Sequence, residues 1–258
     1  MSSCRRLRTP ALILSVVVFA PTLLAQRGDA PNARMRPGAE QQGLFHLPPG
    51  FAIQLVAAEP ELGKPLNLAF DAAGRLWVTT TSHYPWPART DALGQPIADF
   101  ARDWDDNQLA FRGLVRPPEP ATQARDQLRV LSDFDPNTGR ARRTEVFADG
   151  LNIPVGVTPL PRSPGARGAA VIAHSIPGIW RFEDTDGDGR ADRRELLYDG
   201  FGFKDTHGMA SSFTPWPDGW IYATHGFANR SEIRDRSGRV TKLESGNTFR
   251  FRADGSRL

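Results

Sequence analysis

The sequence predicts an all-β fold: a β-propeller of four-stranded antiparallel blades, of which the first two to three are present. Three observations predict it. Short apolar runs recur between Gly-, Pro-, Asp- and Asn-bearing turns, and 24 glycines and 22 prolines favour turns over long helices. The runs group in fours, the architecture of a propeller blade. The groups also resemble one another at an offset of about 50 residues, the length of one blade.

The chain opens with a different composition. Arg5, Arg6 and Arg8 precede a run, Ala11 to Leu24, that is nearly all apolar, and Ala25-Gln26 is a fitting cleavage point. Residues 1–25 therefore read as a secretory signal peptide, and the protein is expected to be secreted or periplasmic. The apolar run is about 14 residues, short of the roughly 20 of a membrane span, so membrane attachment is expected only through an uncleaved leader. Cleavage leaves Lys+Arg and Asp+Glu equal at 29. A general nucleic-acid binder keeps a basic excess, so no nucleic-acid partner is expected. Cys4, the single cysteine, leaves with the leader, and disulfides, thiolate metal sites and thiol chemistry leave with it.

Residues 26–43 are polar and read as a disordered linker, with order expected from Leu44. Strands follow over 44–258. Phe51–Val56 is a β-rich run. Pro65–Phe70 and Arg75–Thr80 flank an Asp71-Ala72-Ala73-Gly74 turn and form a hairpin. Residues 84–125 interrupt the rhythm as an insertion carrying Trp86 and Trp104, with room for a short helix in 98–112. Gln127–Leu131 and Thr144–Phe147 complete the first set. Val155–Leu160, Ala169–Ala173, Gly178–Phe182 and Leu196–Tyr198 form the second. Met209–Phe213, Trp220–Thr224 and Thr248–Phe251 begin a third. A propeller closes with about four to eight blades, so the sequence reads as the N-terminal part of a longer protein.

Asp184-Thr185-Asp186-Gly187-Asp188-Gly189-Arg190-Ala191-Asp192-Arg193-Arg194-Glu195 has the ligand spacing of a twelve-residue calcium loop. Calcium takes six to eight oxygens. Asp184, Asp186, Asp188 and Asp192 offer carboxylates, Arg190 a carbonyl, and Glu195 two oxygens to close the site. An Asp/Gly-rich hairpin turn without an ion is the plainer reading of the same residues. An earlier copy keeps Asp133, Asp135, Asn137 and Glu145. Thr138 adds a residue before Gly139, and Arg142 stands in place of an acid, so this copy is not expected to hold an ion. The intact loop joins a third strand to a fourth. That puts it at the rim opposite the histidines, where it clips a blade rather than catalysing.

The antiparallel meander sends the ends of second strands and the starts of first strands to one rim. His83, His174 and His225 each follow a second strand, and His207 opens a first strand. The four are expected to line a substrate or cofactor face under the 84–125 insertion. His207, oriented by Asp205, is the candidate base for oxidising an alcohol, since imidazole takes a hydroxyl proton near neutral pH. The reading set against this is a non-catalytic, calcium-stabilised propeller that binds a glycan or protein partner.

Gly150-Leu151-Asn152-Ile153-Pro154-Val155-Gly156, the Asp184–Asp192 run, and Asp205-Thr206-His207-Gly208 followed by Pro217-Asp218-Gly219-Trp220-Ile221-Tyr222 resemble the N-terminal propeller of a membrane-bound dehydrogenase family of planctomycetes and verrucomicrobia. That domain is similar in turn to soluble glucose/sorbosone dehydrogenase propellers, which use pyrroloquinoline quinone. The resemblance implies oxidation of a sugar or other small alcohol, with His207 as base ahead of the Pro-Asp-Gly turn. It also implies a cytochrome domain in longer relatives.

Overall fold

A computed structural model describes residues 36–98, 100–104, 120–162 and 165–258. The expected signal peptide and most of the expected linker lie outside them. The chain divides into two units, Met1–Pro37 and Gly38–Leu258, and every element named below belongs to the second. No helix among the described residues is long and apolar enough to cross a membrane.

The fold is all-β and antiparallel. A short helix α1 (Gly38–Gln42) sits inside the segment expected to be linker, so order begins before Leu44. The first sheet is a meander of β1 (Lys64–Phe70), β2 (Leu76–Thr81), β3 (Asp126–Phe134) and β4 (Ala141–Leu151). The second is β5 (Val157–Pro159), β6 (Ala170–Ser175), β7 (Gly178–Glu183) and β8 (Arg193–Asp199). The third is β9 (Ser211–Pro215), β10 (Ile221–His225) and β13 (Asn247–Phe251), in the order β13-β10-β9. First strands are neighbours in space, with β1 beside β5 and β5 beside β9.

Two features depart from the expected strands. Phe51–Val56 joins no sheet. Ala141 N–H to Val56 O at 2.9 Å and Gln42 Nε2 to Ile53 O at 2.7 Å hold it, and Val56 and Ala57 pack on Leu76, Val78 and Leu131. β propensity here is spent on covering a sheet face. The second departure is a hairpin inside residues 226–246, β11 (Arg230–Arg234) and β12 (Val240–Glu244). It extends the second sheet to six strands through a single pairing, Arg234 with Asp199. The expected helix in the 84–125 insertion is present as α2 (Phe100–Trp104), and 105–119 lie outside the described residues.

The second sheet is buried on both faces. Side chains alternate along a strand, so neighbouring residues serve different cores. Val171 and Ala173 join Trp77, Leu128, Val130 and Phe147 of the first sheet, while Ile172 between them joins Phe213, Ile221, Phe249 and Phe251 of the third. Trp180 and Phe182 face the first core, and Ile179 the second. Each fully buried side chain of this size contributes about 1.5–3 kcal/mol.

Where the chain leaves the sheets, buried side chains replace the ladder. Asn152 is fully buried; its Nδ2 donates to the carbonyls of Ala88 (2.8 Å) and Thr90 (2.9 Å), and its Oδ1 accepts from Ala88 N–H at 3.0 Å. It pins the start of the insertion to the link between the first and second sheets. Asn152→Ala strands three buried backbone groups. The expected cost is on the order of 2–4 kcal/mol in urea denaturation, with earlier proteolysis within 84–125.

Candidate functional site

The rim that gathers the ends of β2, β6 and β10 is built around a one-turn 3-10 helix, Thr206–Gly208. Asp205 caps it. Its Oδ1 accepts from His207 N–H at 2.9 Å and from His207 Nδ1 at 2.8 Å. An ionised carboxylate only accepts, so Nδ1 is the donor of this bond. Nε2 has no hydrogen-bond partner among the described residues, and the His207 side chain is 45% exposed against 10% for Asp205. The Tyr84 ring lies edge-on to the imidazole at 5.3 Å, and Thr206 Oγ1 donates to Pro85 O at 2.9 Å. Lys64 Nζ lies 3.4 Å from Tyr84 O, which brings a cation to the same rim.

Asn229, fully buried in the β10–β11 connection, fixes this turn from the other side. Its Oδ1 accepts from Asp205 N–H, and its Nδ2 donates to the carbonyls of Asp205 and Gly208. Gly208 is required by close approach, because a Cβ there would lie 2.5 Å from Phe227 O. The Asp-Thr-His-Gly sequence thus meets the β10–β11 connection backbone to backbone.

The other three histidines do not line an open face with His207, which corrects the expected four-histidine surface. His225 is buried: Nδ1 donates to Ser245 O (2.8 Å), so Nε2 accepts from the Ser231 hydroxyl (2.7 Å), whose oxygen accepts from Gly202 N–H. Its role is to hold β11 and β12 in place. His174 is fully buried, and its ring bonds the Ile153 carbonyl while Nδ1 has no partner. Burial, reinforced by the nearby His225, pushes its pKa down to about 4. His83 spends Nε2 on Arg125 N–H at 3.0 Å.

One group that sequence reasoning missed organises the rim. Asp126 is 1% exposed and takes bonds from Thr81 Oγ1 (2.7 Å), Ser82 N–H (2.6 Å) and Ile153 N–H (2.9 Å). It ties the insertion to residue 153, whose left-handed φ of 46° is costly for a β-branched side chain. A lone Asp ahead of a strand carries no signal for this. Asn152 sits in the quoted Gly150–Gly156 motif, and Asn229 follows a strand end, where a buried amide is ordinary.

At the opposite strand ends, the loop from β7 to β8 brings Asp184, Asp186 and Asp188 together, with carboxylate oxygens within 4.8 Å of one another. No basic side chain pairs with these three among the described residues. Gly187 and Gly189, at φ of 89° and 90°, give the turns that aim their N–H groups at Asp184. The rest of the expected ligand set is elsewhere. Asp192 takes the Thr185 hydroxyl at 2.8 Å, and Glu195, paired with Arg181 across the β7–β8 ladder, binds Arg236 at 2.7 Å. Arg190 donates its N–H to Asp188 and sets its guanidinium 3.7 Å from Asp149. The twelve-residue closure by Glu195 is thus replaced by a tighter three-carboxylate cluster, because strand pairing claims position 12. In the earlier copy, Arg142 bridges Asp133 (3.5 Å) and Asp135 (2.7 Å). Backbone N–H groups of Asn137 and Thr138, with Arg142, lower the Asp135 pKa to about 2.

The His174 environment sets a pH dependence. Its folded-state pKa of about 4 lies below the ordinary 6.5. Between these values the unfolded chain binds the proton more tightly. Stability from this group is therefore full above about 6.5 and is lost as pH falls toward 4. Urea midpoints of the wild type should decline across that window. The decline should flatten in His174→Phe, whose own packing cost is independent of pH.

Comparison with curated proteins returns no match. A family model described as "Domain of unknown function (DUF7133)" matches residues 38–258, the whole of the larger structural unit. The chain belongs to the DUF7133 family.

Proposed function

We propose that the chain is part of a β-propeller whose Asp205–His207 pair serves as a general base toward a hydroxyl of a sugar or other small alcohol. The observation that carries this reading is the 2.8 Å bond between Asp205 Oδ1 and His207 Nδ1, which leaves Nε2 unengaged at the rim. A base needs an accessible lone pair and a partner that stabilises the cation formed when it takes a proton. Asp205, 10% exposed and held by Asn229, meets the second need. Side-by-side first strands of three successive meanders support the propeller, since inner strands are neighbours around its axis.

His207 Nε2 would accept the hydroxyl proton, readying the alkoxide carbon to release hydride. A pyrroloquinoline quinone, when bound, supplies a two-electron acceptor. The group is a planar tricarboxylate, and Lys64 and the Tyr84 ring are the residues at this rim suited to a carboxylate and a ring face. The assay is dye reduction by a panel of sugars with the protein reconstituted with quinone. His207→Ala should lower kcat by about 100-fold or more. Asp205→Asn should lower it too, through loss of the Nδ1 orientation. Undiminished dye reduction in His207→Ala removes the base from the mechanism.

Calcium at Asp184, Asp186 and Asp188 is proposed as a structural clip. Three carboxylates gathered without a basic partner call for a cation, and the earlier copy meets the same need with Arg142. An ion that binds only the folded state raises stability by mass action. Chelation should therefore lower Tm, and Asp184→Asn with Asp188→Asn should abolish the response to calcium. A Tm indifferent to calcium in the wild type leaves the loop a turn.

A further inference from the structure

A concavity whose lining does not include His207 lies elsewhere on the chain. A cleft of about 1070 Å³ runs between the insertion carrying α2, the outer end of β8 and the β11–β12 hairpin. Its lining is strongly charged yet balanced. Five carboxylates, among them Asp91, Asp103 and Asp199, and five cations, among them Arg230, Arg234 and Lys242, line it; Lys242 is paired with Glu232 at 2.7 Å and Arg102 with Asp103 at 3.3 Å. The walls sense one another: Glu232 on β11 has its pKa lowered first by Lys242 and also by Arg102 from the α2 side. Pro177 and Leu243, half-buried, contribute an apolar floor.

We infer that this cleft binds a neutral oligosaccharide. The volume suits a chain of several sugar units rather than a single small metabolite. An anion would gain from five cations and lose to five carboxylates, and a cation the reverse. A neutral polyol escapes that cancellation. Its hydroxyls donate to carboxylates and accept from guanidinium and ammonium groups, and such charge-assisted bonds are roughly twice as strong as neutral ones. The C–H face of the sugar suits an apolar floor. Asn229 adds position: it lines the cleft and also binds Asp205 and Gly208, so the bound chain would end beside the His207 turn.

The inference concerns binding and stands apart from the base chemistry of His207. The test is isothermal titration calorimetry of the protein with cellotetraose, xylotetraose, mannotetraose and maltotetraose, with tetragalacturonate as the anionic comparison. At least one neutral tetraose should bind with Kd of about 1 mM or below, and more tightly than the uronate. Arg230→Ala and Asp199→Asn should each weaken binding about tenfold. His207→Ala should leave it intact while removing any oxidation. Arg230 is exposed, so its variant keeps the test usable if Asp199→Asn fails to fold. Absence of heat with every neutral tetraose, preference for the uronate, or wild-type affinity in Arg230→Ala overturns the inference.

Discussion

Burial of the second sheet on both faces is the constraint from which the rest of the molecule follows. A sheet with one wet face needs apolar residues only at alternate positions. Here β6 and β7 have no wet face, and Val171, Ile172, Ala173, Ile179, Trp180 and Phe182 are all but inaccessible. The ladder satisfies backbone polar groups within the sheet. It cannot do so where the chain crosses the rim between sheets, and buried N–H and C=O groups there still need partners. Asn152, Asn229 and Asp126 are those partners. An amide presents one acceptor and two donors, so it can stand in for a peptide group of a missing neighbour strand. The rigidity of the rim is thus a consequence of how tightly the sheets stack beneath it.

The same physics separates the four histidines. Three stand at the ends of second strands and His207 ahead of a first strand, all toward one rim, yet solvation divides them. His174 and His225 are both buried: burial pushes the His174 pKa down, and both ring nitrogens of His225 are engaged, by Ser245 O and the Ser231 hydroxyl. His207 sits one turn before its strand, on the solvent side of Asn229, so one nitrogen is bound and the other free. A base needs this half-satisfied state. Full satisfaction removes the lone pair, and full exposure removes the orientation.

Much of the strand pattern was legible because it rests on local chemistry. Leu76–Thr81 and Ile221–His225 alternate or run apolar between Gly-bearing turns, and both are strands. The antiparallel meander order followed from that spacing. The closed propeller, by contrast, lies beyond three open sheets. Arg230–Glu244 was illegible as a hairpin because its strands are polar and alternate only weakly; distant Asp199 and the Ser231–His225 bond complete it. Phe51–Val56 failed in the other direction. Its apolar residues were read as a ladder, whereas Val56 and Ala57 serve as a cover for Leu131. Burial of His174 was illegible for a related reason. It depends on Phe201 and His225, which arrive from later parts of the chain.

The two Asp-rich loops show how a repeat preserves a physical requirement while changing the means. Both join a third strand to a fourth, and both crowd carboxylates at a tight turn. Crowded carboxylates repel, and positive charge placed among them offsets that repulsion. In the first copy, Arg142 reaches back from β4 to place its guanidinium between Asp133 and Asp135. In the second, the arginines of β8 are engaged elsewhere: Arg193 faces Glu183 and Arg194 binds Asp149 and Ala92. Gly187 and Gly189 direct backbone N–H groups at Asp184, which offsets one carboxylate of three. The loops therefore differ in the residual charge each leaves at the turn. A single arginine placed as in the first copy meets that charge from within the chain, whereas in the second no basic side chain pairs with Asp186 or Asp188 among the described residues, and that difference is the basis of the proposed calcium clip.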